Sequence, residues 1–208
     1  MLRTFLNAPR GAAWLLLGLI LASASGCGTM AHIQYWLYGI KVDAKFNGLQ
    51  GKSVAVVCLD SNSLKGPGGE ADAIAKAVSN ILGYNVQDVQ MVPQSKIADW
   101  IDSHDQNLTD YRDIGRGVQA DMVVGIDLES FSTHEGQTLL KGRARLSTRV
   151  YDMLKDGQVV YETPSTELSF PEHGARHVTE NEANFRIIFI HTIAQRVAKD
   201  FLLVRQAR

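Results

Sequence analysis

Two carboxylates and a row of basic residues share one face of a predicted β-sheet. Asp127 and Glu129 alternate with Ile126 and Leu128, so we expect both carboxylates on the same side of one strand. A carboxylate pair can perform general acid–base catalysis. Cross-strand ion pairing on a solvated sheet is the simpler interpretation, because the next strand should present basic side chains on the same face. These basic residues are Lys141, Arg143, Arg145 and Arg149.

This charged surface is also the candidate for binding a partner protein. A row of fixed charges can orient a partner and discriminate against others. We therefore assign Asp127, Glu129 and the four basic residues to a predicted partner-binding site.

Two histidines have a spacing that could bind a metal. His173 and His177 are four residues apart, which on a helix would place both imidazoles on one face, as in zinc sites. Pro171 and Gly174 disfavour a regular helix there, so we predict no metal site. The alternative is an envelope hydrolase with a carboxylate or histidine site around Glu172, His173 and His177.

Other catalytic motifs are incomplete. Residues 66–70, Gly-Pro-Gly-Gly-Glu, lie where a phosphate loop would precede a helix. They lack the Gly-Lys-Ser or Gly-Lys-Thr ending, and Glu70 would repel phosphate. No Gly-x-Ser-x-Gly nucleophile elbow occurs, and Cys58 lies in an apolar run that disfavours a reactive thiolate. We therefore predict that the protein is not an enzyme and uses no cofactor.

Cys27 follows an apolar segment and three small residues, 24–26. Arg3 and Arg10 give a positive start and residues 12–22 an apolar centre, as in a secretory signal. The centre is too short for a membrane-spanning helix, which needs about 20 apolar residues. The pattern resembles the bacterial lipoprotein signal, which is cleaved before a cysteine that carries diacylglycerol and an added acyl chain such as palmitate. We predict lipidation of Cys27; an ordinary signal cut elsewhere and an uncut anchor are the alternatives.

Two neighbours of Cys27 bear on its processing and destination. Ala24 occupies the position where such signals usually carry Leu. Gly28 lacks the acidic side chain that marks inner-membrane retention in well-studied lipoproteins. We therefore predict a lipid-anchored protein on the periplasmic side of the cell envelope, at the outer membrane.

The composition fits one exported domain. The chain has 208 residues with 21 basic and 22 acidic side chains, and removal of residues 1–26 leaves a formal charge of −3. This balance argues against nucleic-acid binding. We predict a signal peptide at 1–26, a membrane-proximal segment at 27–50 and a globular α/β domain at 51–208. Tyr35 and Trp36 could lie at the membrane interface or against the domain.

The hydrophobic periodicity alternates between strand and helix. A continuous apolar run at 53–59 is typical of a strand covered on both faces. Asp156-Gly157 predicts a tight hairpin turn. The predicted strands are 53–59, 86–92, 122–131, 139–154 and 158–162; the predicted helices are 70–82, 94–102, 110–118 and 182–204. The predicted fold is an α/β sandwich in which helices cover mainly one face of a mixed sheet.

Four short sequences carry a family resemblance: Ile114-Gly115, Ala-Asp-Met-Val-Val-Gly at 120–125, Leu-Lys-Gly-Arg-Ala at 140–144 and Val-Tyr-Asp at 150–152. Over residues 51–204 the chain resembles bacterial envelope lipoproteins related to the TolB N-terminal domain, the penicillin-binding-protein activator LpoB and the curli secretion lipoprotein CsgG. Loops such as 132–138 are too short for the membrane-crossing hairpins of CsgG-type pores. The resemblance therefore implies a docking or assembly role.

The function predicted from the sequence is a non-catalytic, lipid-anchored accessory of a membrane or envelope complex. Its expected partners are the membrane, through the lipid on Cys27, and an envelope protein. Homo-oligomerisation stays open, and the hydrolase described above is the alternative function.

Overall fold

The structure, a computed structural model, describes residues 40–42, 44–60, 69–104, 110–137, 139–174, 176–177, 182–202 and 204–206. Cys27, the predicted signal peptide and the aromatic residues near it lie outside these ranges. The chain divides into two compact units, one comprising Asp43–Leu203 and the other Met1–Val42 with Val204–Arg208. The charged residues of the predicted partner-binding site all belong to the first unit.

The elements, in chain order, are β1 (Ile40–Val42), β2 (Ser53–Asp60), α1 (Glu70–Asn85), β3 (Gln90–Met91), α2 (Gln94–Asp102), α3 (Tyr111–Val118), β4 (Met122–Glu135), β5 (Leu139–Asp152), β6 (Gln158–Phe170), β7 (Arg176–His177), α4 (Glu182–Ala198) and β8 (Val204–Gln206). Short 3₁₀ turns follow β5 at Met153–Lys155 and α4 at Lys199–Phe201.

The first unit contains a mixed sheet with the strand order β3-β2-β4-β5-β6. β2 is parallel to both β3 and β4, whereas β4, β5 and β6 form an antiparallel meander. β7 pairs with the beginning of β5. In the second unit, β1 and β8 form an antiparallel pair.

Helices cover the two faces of the sheet unequally. The longer helices, α1 and α4, bury residues such as Ile74, Leu82 and Phe189 against one face. The short helices α2 and α3 cover the opposite face only beside β2, β4 and the end of β5, where Ile97 and Ile114 are buried. The mixed α/β sandwich predicted from the sequence is confirmed, with its main helical layer on one face.

The apolar run of β2 is explained by this double coverage. Val54, Val56 and Cys58 face the core under α1 and α4, while Ala55 and Val57 face the core under α2 and α3. Burial raises the pKa of the Cys58 thiol, and the negative charges of Asp127 and Asp60 raise it further. Cys58 is therefore a buried apolar side chain whose thiolate is disfavoured.

The Ala-Asp motif before β4 joins three segments. The Asp121 Oδ2 atom accepts a hydrogen bond of 2.9 Å from the Ser53 amide, and the Asp121 amide donates one of 2.8 Å to the Ser53 carbonyl. The Asp121 carbonyl accepts another, of 2.9 Å, from the Met153 amide. The motif thus ties the start of β2 to the start of β4 and to the turn after β5, which is a structural role.

Among the described residues, no helix is both long and apolar enough to span a membrane.

Candidate partner-binding site

The meander β4-β5-β6 builds the charged face, which we define as the surface formed by Asp127 and Glu135 of β4, Lys141, Arg143, Arg145 and Arg149 of β5, and Glu162 and Glu167 of β6. Successive side chains of a strand point to opposite faces. The predicted alternation along β5 is present: Leu140, Ala144, Leu146 and Val150 are buried. The four basic residues between them are half-buried or exposed.

The register places carboxylates beside the arginines. Arg149 lies opposite Glu162 of β6, and its Nε atom is 2.9 Å from Glu162 Oε1. Arg145 lies opposite Glu167, with Nη2 2.9 Å from Glu167 Oε2. Directly opposed charges of opposite sign stabilise a strand pair. Cross-strand ion pairing, the simpler interpretation of the sequence, is therefore present here.

A second carboxylate group occupies the other end of the face. Glu135, near the hairpin between β4 and β5, forms ion pairs with both Lys141 and Arg143; its Oε2 atom is 3.8 Å from Lys141 Nζ. All four basic residues of β5 thus have acidic partners. The charged face is consequently a balanced array of fixed charges and not a basic patch.

Asp127 is held by donors from three directions. The Tyr111 hydroxyl lies 2.8 Å from Asp127 Oδ1, the Ser147 hydroxyl lies 3.5 Å from Oδ2, and Arg149 Nη1 lies 3.5 Å from Oδ2. Burial raises the pKa of Tyr111, and the negative charge of Asp127 raises it further, so the phenol keeps its proton. These contacts fix the position of the Asp127 side chain on β4, beside Arg149.

Glu129, the second predicted carboxylate, lies at an irregularity in the pairing of β4 with β5. The register between β4 and β5 shifts between Leu128 and Ser130, so Glu129 occupies a β-bulge, and Ser130 lies opposite Arg145. A bulge inserts one residue and reverses the alternation beyond it. Phe131 consequently contacts the ring of Phe189 on the helical side, with ring centroids 5.3 Å apart.

Sequence reasoning missed the three glutamates of the charged face. Glu135 and Glu167 lay beyond the predicted ends of their strands, at 131 and 162, while β4 extends to Glu135 and β6 to Phe170. Glu162 lay within a predicted strand, but a two-residue turn at Asp156-Gly157 would place it opposite Tyr151. The longer turn through Met153–Lys155 and a register shift between Val150 and Tyr151 place it opposite Arg149 instead.

The histidine motif does not form a helical metal site. Pro171–Gly174 form bends, and Arg176–His177 form β7, so the two histidines do not share a helical face. No cluster of three or more metal-ligating side chains occurs among the described residues. Neither observation favours the hydrolase alternative.

No protein-family model matches the sequence, and the search of curated proteins gave no match. Similar solved structures include the PelC dodecamer from Paraburkholderia phytofirmans, which is 13% identical with a TM-score of 0.41, over 81% of this chain and 94% of that one. Lipoprotein GNA1162 from Neisseria meningitidis is 10% identical with a TM-score of 0.45, over 70% of this chain and 97% of that one.

The LpoB C-terminal domain from Salmonella enterica is 15% identical with a TM-score of 0.37, over 64% of this chain and 88% of that one. These similarities do not transfer a partner or an activity to the present chain. The more specific resemblance to TolB and CsgG stays a prediction from the sequence.

Proposed function

We propose that this chain is a lipid-anchored cell-envelope protein that acts as a non-catalytic docking or assembly accessory on the periplasmic side of the membrane. The signal-like segment and Cys27 support the anchor, and the charged face supports the docking role. We further propose the outer membrane as its location, because Gly28 follows the lipidated cysteine.

The charged face is the observation that carries the docking role. Its basic side chains are neither buried nor randomly oriented, because carboxylates on both neighbouring strands hold them in place. Exposed ion pairs contribute only about 0–1 kcal/mol each to stability. An extended array of such pairs therefore adds little to the fold but presents a fixed pattern of charge to a partner.

Charge balance indicates the class of partner. Nucleic acids and anionic lipid surfaces bind basic patches whose charge is not neutralised. Here Lys141 and Arg143 share Glu135, and Arg145 and Arg149 are paired across to β6. A mixed pattern of this kind suits a protein surface of complementary pattern.

The anchor and the charged face would act together. Attachment through Cys27 keeps the domain close to any membrane-associated partner and so raises their effective concentration. A modest interface on the charged face would then suffice for docking.

Site-specific photo-crosslinking in cells tests this proposal. A photoreactive amino acid at Ser132, exposed on β4 opposite Arg143, should capture one specific envelope protein, whereas the same amino acid at Lys76, exposed on α1, should not. Equal capture from both positions, or no capture from Ser132, would contradict docking through the charged face.

A further inference from the structure

A cleft of about 210 Å³ opens between the end of α4 and the inner side of β5 and β6. It lies at a register shift, where Thr163 pairs with Thr148 and Thr166 pairs with Leu146, leaving two residues of β6 opposite one of β5. Such bulges bend a strand and often lie beside binding sites. The cleft is on the opposite side of the sheet from the charged face.

The cleft carries one surplus positive charge. Lys45 Nζ is 2.8 Å from Asp200 Oδ1, and the Tyr161 hydroxyl donates a hydrogen bond of 3.1 Å to Asp200 Oδ2. Asp200 is therefore neutralised within the cleft wall. Arg196, exposed on the last turn of α4, also lines the cleft and forms no ion pair with a carboxylate of the described residues.

The hydroxyl of Thr148 also lines the cleft. Thr148 is only 3% exposed, and its hydroxyl makes no hydrogen bond within the described part of the chain. The neighbouring Thr163 hydroxyl accepts from the Thr148 amide at 3.1 Å and donates to the Thr148 carbonyl at 3.4 Å, so it is already engaged. Every fully buried side-chain polar atom of the described residues has a partner, so the Thr148 hydroxyl must reach the cleft surface. It is thus available to a ligand.

The remaining wall is apolar. Leu146, Leu168 and Val197 line the cleft and belong to, or pack against, the main core. For comparison, an apolar cavity of about 150 Å³ accommodates a benzene molecule. The cleft volume is comparable with a group the size of a leucine side chain together with a carboxylate.

We propose that this cleft binds a carboxylate carried on a short aliphatic group. The carboxylate contacts Arg196 and accepts a hydrogen bond from the Thr148 hydroxyl, while the aliphatic part lies against Leu146, Leu168 and Val197. A doubly charged phosphate fits less well, because Asp200 lines the same cleft and the surplus is a single positive charge. Two sources share this chemistry, the C-terminal residue of a peptide and a small free carboxylate.

Binding to the purified full-length protein tests the proposal. The probes are a fluorescein-labelled Gly-Gly-Ala-Leu peptide with a free C-terminus, the same peptide as its C-terminal amide, and free hexanoate as competitor. Because hydrogen bonds to charged groups are the stronger class, we expect the free acid to bind at least about tenfold more tightly than the amide, by fluorescence anisotropy. If hexanoate displaces the peptide at concentrations near those of the peptide itself, the natural ligand is a small free carboxylate. If much higher hexanoate concentrations are needed, the natural ligand is the C-terminal residue of a peptide.

Matched variants locate the site. Arg196→Gln and Thr148→Val should each weaken binding of the free-acid peptide several-fold or more. Arg186→Gln makes the same charge change on α4, where Arg186 pairs with Glu70 away from the cleft, and should leave binding unchanged. The proposal is overturned if the acid and amide peptides bind equally, if neither binds at millimolar concentration, or if Arg196→Gln and Arg186→Gln behave alike.

Discussion

At the scale of single residues, the fully buried polar side-chain atoms in the described part of the chain have specific hydrogen-bond partners. Tyr161 of the first unit also has such a partner: its hydroxyl donates to Asp200, which also pairs with Lys45. Burial, the charge of Asp200 and the hydrogen bond to Asp200 together raise the pKa of Tyr161 to about 12, with burial the largest cause. A phenol with a raised pKa makes stability depend on pH at the alkaline end.

The sign of that dependence follows from proton binding. An unfolded tyrosine loses its proton near pH 10, whereas folded Tyr161 retains it to about pH 12. The stabilising contribution is therefore complete below pH 10 and is lost as the pH rises through 12. We expect Tyr161→Phe to lower the free energy of unfolding by about 1 kcal/mol at pH 8, through the lost hydrogen bond. The substitution should also flatten the decline of that free energy from about pH 10 to 12.

Urea unfolding of the full chain at several pH values measures this effect. Tyr84→Phe is the matched control, because Tyr84 is 90% exposed and should leave the alkaline decline of the wild type intact. An identical decline in Tyr161→Phe and wild type would show that Tyr161 does not contribute to it.

At the scale of elements, periodicity predicted the type of most helices and strands but not their ends. The first helix was predicted to end at residue 82, yet α1 continues to Asn85. A Cβ atom at Gly83 would lie 3.1 Å from Met91 Cγ, so the glycine permits close approach of β3. The second predicted strand, 86–92, is correspondingly reduced to Gln90–Met91.

The antiparallel strands show a different limit of sequence reasoning. Pro164 lacks an amide proton and normally marks a strand end, but β6 is an edge strand and carries Pro164 at a bulge. A bulge depends on how two neighbouring strands pair. The alternation of apolar and polar residues within one strand carries no information about that pairing. The basic row of the charged face was therefore predictable, whereas Glu135 and Glu167 were not.

A substitution at Gly142 of β5 would show how closely α4 packs on this strand. A Cβ atom at this position would lie 2.6 Å from Phe189 Cγ, in the buried core. We expect Gly142→Ala to lower the free energy of unfolding by about 1–3 kcal/mol, because the ring must move within a filled core. Gly83→Ala is the control: its new methyl group meets a flexible methionine, and alanine favours a helix. If urea denaturation showed the same loss of unfolding free energy for Gly142→Ala and Gly83→Ala, the close packing of α4 on β5 would be contradicted.

At the scale of the whole molecule, a predicted lipid anchor at Cys27 precedes a folded domain. Cys27→Ser should leave an uncleaved precursor that incorporates no radiolabelled palmitate, because serine offers no thiol for the lipid. Immunoprecipitation after labelling, with Cys58→Ser as the matched control, measures both properties. Cleavage of Cys27→Ser at the same bond, or undiminished labelling, would contradict lipidation.

The proposed function depends on an envelope protein that recognises the pattern of charge on the charged face. It is tested most directly by exchanging a pair: Arg145→Glu combined with Glu167→Arg keeps the ion pair across β5 and β6 but reverses its direction. A photoreactive amino acid at Ser132, an exposed position opposite Arg143, reports capture in cells for wild type and exchange variant alike. We predict that the exchange variant keeps the wild-type urea unfolding midpoint and loses at least about tenfold in capture of the partner. Capture equal to that of the wild type would show that the charged face does not direct docking.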